Sequence, residues 1–271
     1  MTVTGEGKTF GKALLNMDAA APMRINLSQL RLLAVDAELA KSGDLSSLLM
    51  ELSDRIDMRM QCAVALTDAS AKDVAEALKP AAGARLSKAL DLMLDARIEQ
   101  GSILPATLAD VLRMGERQSP VLIALSLEGQ ELSLAGGYTM DGSHLAPDET
   151  ALLSLLLGHA KSLRLTLPGG YADLRDVSAS FRLSEGLNGA RVELSMTATA
   201  SSFTENELEQ TVADGVIKLL TRLSANGCDA LGLGRQAIMR THDMAQWQAL
   251  NWGERCRGIR WEVAVGVDGP A

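Results

Sequence analysis

The sequence predicts an α+β chain of two to three small mixed α/β modules, and three observations carry that reading. Near the N-terminus, a strand, a helix and a second strand follow one another as a βαβ unit, so those two strands are expected to be parallel. In the last third, two runs alternate apolar and polar residues around an Asn188-Gly189 link, which marks an antiparallel hairpin with one wet face. Helices with one apolar stripe fill the spaces between these elements. The pattern changes character near Gln118 and Asp176. The modules are therefore expected at 1–117 (containing the βαβ unit), 118–175, and 176–271 (an antiparallel sheet packed by helices).

The elements follow in order. Thr9 can cap a short helix carrying Ala13, Leu14 and Met17. Leu30 to Val35 reads as a buried strand. Asp44 is the expected cap of a helix whose stripe is Leu45, Leu48, Leu49, Leu52 and Ile56. Met60 to Leu66 is the second strand. Asp68 is expected to cap a helix that Pro80 stops, and Leu86 to Ile98 forms the next helix. Thr107 and Asp110 make a capping box. Val121 to Leu127 and Glu131 to Tyr138 read as strands, and Asp148 as the cap of a helix bearing Leu152, Leu153, Leu156 and Leu157. The hairpin places Val177, Ala179, Phe181 and Leu183 against Val192, Leu194, Met196, Ala198 and Ala200. A second capping box, Thr204 with Glu207, opens a long helix that Asn226-Gly227 ends. Asp243 caps a further helix, and Trp261, Val263, Val265 and Val267 close the chain as an alternating strand.

With 271 residues, 47% hydrophobic and 22% charged, the chain can bury a core without staples. Its net charge of -8 argues against nucleic acid, which requires a basic face, and against attachment to anionic lipid by charge. Aromatic residues are only 3%, so stacking platforms are scarce. Cys62, Cys228 and Cys256 lack the spacing of a zinc ribbon or redox pair. Cys228 and Cys256 could bridge, although three buried thiols is the simpler arrangement. The first residues have neither a basic nor an apolar signal region, and no stretch reaches the roughly 20 apolar residues of a membrane span. The polypeptide reads as soluble and unanchored.

No catalytic, metal or cofactor constellation emerges. His144, His159 and His242 are not spaced to share a metal on one helix face. Neither a nucleophile elbow nor a P-loop is present. Gly232-Leu-Gly234 is a fragment of a dinucleotide fingerprint without its preceding strand, so it reads as a tight turn. Gly5-Glu-Gly7-Lys8 lacks the rest of a phosphate loop and reads as a strand exit. Trp247, Trp252 and Trp261 concentrate the aromatic content. They either form a core cluster, the favoured reading, or anchor an interface.

Asp229-Ala-Leu-Gly232-Leu-Gly234, then Arg240, Trp247, Trp252, the strand from Trp261, and Gly269 resemble the end of the Ger(x)C family, the C subunits of spore nutrient-germinant receptors. Gly5-Glu-Gly7-Lys8, Leu30 to Val35, Arg55 to Arg59, Ala71 to Ala75, and Gly136-Gly137-Tyr138 through Glu149 are similar to earlier landmarks of the family, in the same order. Gln29 stands where the family usually has His. The resemblance implies a non-enzymatic subunit on the outer face of the spore inner membrane. It would support receptor assembly and germination signalling with the membrane-embedded A and B subunits, without a cofactor. It implies structural roles for Asp229, Gly232, Gly234, Arg240 and Trp261. On the interface reading, Trp247 or Trp252 lies at an edge and meets a partner. The family's signal peptide and lipidated Cys are not in these residues, so the resemblance implies either an N-terminally truncated chain, whose membrane hold would be a lipid anchor absent here, or an unusual member of the family. The alternative is an independent extracytoplasmic small-ligand binding module, which requires an apolar pocket with convergent polar groups. An unrecognised enzyme would require a cleft with a strongly shifted titratable group.

Overall fold

A computed structural model describes residues 3–82, 86–114, 118–129, 131–160, 162–167, 170–200 and 203–268. Helix α1 (Phe10–Ala20) is capped by Thr9, which accepts from the Lys12 N–H. The segment before it is not a strand exit. It runs so close to α1 that a Cβ at Gly5 or Gly7 would collide with the Ala13 backbone.

Strand β1 (Leu32–Asp36), helices α2 (Ala37–Lys41) and α3 (Leu45–Ser53), and strand β2 (Ala63–Thr67) form the expected parallel βαβ unit. Several local expectations fail within it. β1 is an edge strand, so Leu32 and Leu33 are only half-buried and Ala34 is exposed. Asp44 stands at the expected N-cap of α3 but makes no side-chain capping bond; its carboxylate accepts from the Ser42 hydroxyl, while Asp36 caps the unforeseen α2. α3 ends at Ser53, which leaves Ile56 fully exposed in the next turn rather than on the buried stripe.

Helix α4 (Ala71–Ala82) is capped by Ser70, and it continues past Pro80 instead of stopping there. Asp68 accepts from the Tyr138 hydroxyl at 2.8 Å. Helix α5 (Leu86–Glu99) follows, then α6 (Leu108–Met114), which opens on the foreseen Thr107–Asp110 capping box.

Strands β3 (Val121–Glu128), β4 (Glu131–Thr139) and β5 (His144–Leu145) complete a sheet of order β1-β2-β3-β4-β5. β2 is buried throughout and pairs in parallel with both β1 and β3. A strand buried on both faces must be central, so β3 cannot begin a separate sheet. Residues 118–145 thus extend the sheet of the first module, and the expected break at 118 does not coincide with a sheet boundary.

Helix α7 (Pro147–Leu156) lies where the two halves of the molecule meet. Glu149 reaches back to the Ala146 N–H at 3.0 Å, while Asp148, the expected cap, stands in the first turn. Seven consecutive residues, Thr150 to Leu156, are buried. A helix buried all round must be covered on every side. α7 packs against β4, against strands β6 (Leu163–Leu167) and β7 (Gly170–Leu183), and against helix α8 (Glu205–Ala225).

The second sheet has the order β6-β7-β8-β9, with β8 at Gly189–Ala200 and β9 at Arg260–Asp268. β6 was not foreseen. β6, β7 and β8 are antiparallel, but β9 joins β8 in parallel, so the expected antiparallel sheet is mixed. The connection from β8 to β9 contains α8, α9 (Leu233–Ile238), α10 (Met244–Leu250) and α11 (Trp252–Cys256), a crossover of the length a parallel pair requires. The expected break near Asp176 falls inside β7, at a bulge where Asp176 has φ +51°. α8 opens on the foreseen Thr204–Glu207 box and buries Leu208, Val212, Val216, Leu219, Leu220 and Leu223, each contributing about 1.5–3 kcal/mol by leaving water. Asp243 caps α10 as expected.

Candidate functional site

The Asp229 loop joins the second sheet's helices to the first sheet. Asp229 itself is 5% exposed. Its Oδ1 accepts from the Leu233 N–H at 2.9 Å, and its Oδ2 accepts from the Gly234 N–H at 2.7 Å and from Trp252 Nε1 at 2.9 Å. One carboxylate thereby caps α9 and fixes α11 beneath it. Gly232 has φ +74°, in the left-handed region, and a Cβ there would also press on the Gln118 side chain.

Gln118 and Ser119, just before β3, receive this loop. Ser119 N–H donates to the Asp229 carbonyl at 2.9 Å, and the Asp229 N–H donates to Ser119 Oγ at 3.0 Å. Gln118 Nε2 donates to the Ala230 carbonyl at 3.0 Å, with Gln118 itself only 8% exposed. The sequence offered no signal for this half of the junction. A concave surface of about 390 Å³ runs beside it, lined by Ser119, Gly227, Asp229, Trp247, Asn251 and Trp252.

The other family-motif residues make similar internal contacts. Arg240, in the turn after α9, donates to the Leu183 and Ser184 carbonyls at 2.8 and 2.5 Å, and Gln236 on α9 donates to the Phe181 carbonyl and accepts from the Leu183 N–H. Trp261 Nε1 donates to Ser224 Oγ at 3.2 Å. Trp247 and Trp252 are 4% and 5% exposed and belong to the core cluster. An edge position for either tryptophan is therefore not what the structure shows, and burial removes the basis for a partner contact there.

The electrostatics of the junction suit packing. Burial pushes the Asp229 carboxyl above the usual range, against the opposing pull of the Gly234, Trp252 and Leu233 donors. Burial likewise pushes the Cys228 and Cys256 thiols up to about 12, so both are neutral, poor nucleophiles. Cys228, Cys256 and Cys62 are all buried and unbridged. Among the described residues, no cluster of three His, Cys, Asp or Glu side chains could hold a metal, and no helix is long and apolar enough to cross a membrane. Gly269 lies outside the described residues.

Residues 1–127 match the family described as the spore germination protein N-terminal domain. No curated protein matches the sequence. The fold is similar to a crystal structure of the GerBC protein, with a TM-score of 0.67 and 13% identity over 93% of this chain and 81% of that one.

Proposed function

We propose that this chain is a Ger(x)C-family protein and serves as a non-enzymatic subunit of a spore nutrient-germinant receptor, a reading supported by the match of residues 1–127 and by the GerBC-like fold. In this reading it acts on the outer face of the spore inner membrane, held by a lipid anchor. There it supports assembly of the membrane-embedded A and B subunits and their germination signal.

The family match over residues 1–127 carries the reading. The use of the motif side chains supports it. Asp229, Arg240 and Trp252 are spent on capping α9, on clamping the end of β7 and on fixing α11 to the Asp229 loop. This is how a scaffold uses polar residues.

A pull-down from sporulating cells tests the proposal, with a tagged chain extended by its genomic upstream sequence. Co-purification of the A and B subunits is the expected result. Recovery of the chain without either subunit would replace the receptor role with that of a free binding module.

A further inference from the structure

The second sheet has one covered face and one bare face. Helices α7, α8 and α9 pack on the inner side, while the outward-pointing residues of β7, β8 and β9 are exposed. The registers align these residues in rows. Arg182 stands directly opposite Arg191, and Arg191 opposite Glu262. In the next row, Ser180 faces Glu193 and Glu193 faces Ala264; beyond it, Ser178 faces Ser195 and Ser195 faces Gly266. At the other end, Arg260 projects one row beyond Glu262. The arginine end lines a concave surface of about 540 Å³.

Like charges directly opposite one another on adjacent strands destabilise a sheet. The fold relieves only one member of this pair. Arg191 is paired with Glu193 at 3.0 Å and with Glu262 at 3.6 Å. Among the described residues, neither Arg182 nor the Arg260 guanidinium has an ion pair. Two more arginines add positive potential behind the groove, Arg240 on the Leu183 and Ser184 carbonyls and Arg255 on the Gly186 and Leu187 carbonyls. This is a local cationic end on a chain of net charge -8.

We propose that the bare face of β7-β8-β9 at the Arg182–Arg191–Arg260 end is a docking surface for an acidic segment of a partner protein. Arg182 and Arg260 supply forked donors for its carboxylates. The row of Ser178, Ser195 and Gly266 leaves a low shelf on which an extended backbone can lie. The exposed side chains of these rows are polar or small and provide no apolar wedge for a bilayer, so a protein segment fits better than a lipid surface. The proposal is independent of the germination reading.

Fluorescence anisotropy with the purified full chain tests it, using a short labelled peptide of alternating Glu and Ser at low salt. The peptide is expected to bind, and Arg182→Glu with Arg260→Glu is expected to weaken binding by about tenfold or more. A control double variant, Arg97→Glu with Arg113→Glu, changes the net charge equally on distant helices and is expected to shift binding by less than about twofold. Should the reversal variant fail to fold, Arg182→Gln with Arg260→Gln is expected to weaken binding in the same direction. No binding, or equal loss in the control, overturns the proposal. So does an anionic phosphatidylglycerol vesicle that binds through the same two arginines while the peptide does not.

Discussion

At the residue scale, the Asp229 carboxylate ties the junction together. Three buried donors, two backbone amides and one indole, converge on a single side chain. In Asp229→Ala all three lose their acceptor, and the expected cost is roughly 2–4 kcal/mol, measured by chemical unfolding. The pH dependence has a definite sign. Because burial raises its folded pKa, Asp229 binds a proton more readily in the folded chain than in the unfolded one. Its contribution to stability therefore falls as pH rises from about 3.9 through the folded value, and is flat above it. Asp229→Asn removes the titration, so the stability difference between it and the parent should vary across that window and level off above it. Half of this junction was legible. The motif itself, its left-handed glycine and its position ahead of a short helix stand in the sequence. Gln118 and Ser119 do not, because nothing local to residue 118 signals hydrogen bonds to residues more than a hundred positions away.

At the element scale, local chemistry was legible wherever it was self-contained. The Thr107–Asp110 and Thr204–Glu207 boxes satisfy their own helix ends, so their spacing sufficed. Asp44 and Asp68 have the same residue type before a helix, yet neighbours claim them, Ser42 in one case and Tyr138 in the other. Pairing partners were less legible still: alternation in β9 shows a strand with two unlike faces, but not that it runs parallel to β8. The end of β7 is held similarly from a distance, by Gln236 and Arg240. Arg240→Ala is expected to raise the hydrogen-exchange rate of amides 184–189 by several-fold while lowering global stability by only about 1 kcal/mol. A large global loss with unchanged local exchange would contradict the clamp.

At the scale of the whole molecule, α7 binds the two sheets into one cooperative unit. It has no solvent face along Thr150 to Leu156, and Arg222 of α8 pairs with its Glu149 at 2.6 Å. Leu153, fully buried between the sheets, is the sensitive position. Leu153→Ala is expected to cost about 2–5 kcal/mol without splitting the unfolding into stages. The tryptophans provide the check. Trp247, Trp252 and Trp261 all lie in the second half, so fluorescence reports that half alone while far-ultraviolet circular dichroism reports both. Coincident transitions are expected in the parent and in the variant; separated ones would mean that the halves unfold independently. The Gln118–Ala230 contact has a further consequence in time. As the chain leaves the ribosome, β1 to β5 can pair once residue 145 has emerged, yet the seat of the first sheet stays unfilled until residue 230 follows. The second sheet waits longer still, for β9, which follows β8 only after the four helices of the crossover. Some 85 residues, from 145 to 230, are therefore made while the Gln118 seat at the edge of the nascent first sheet stands empty, and it is in this interval that a chaperone would find its substrate.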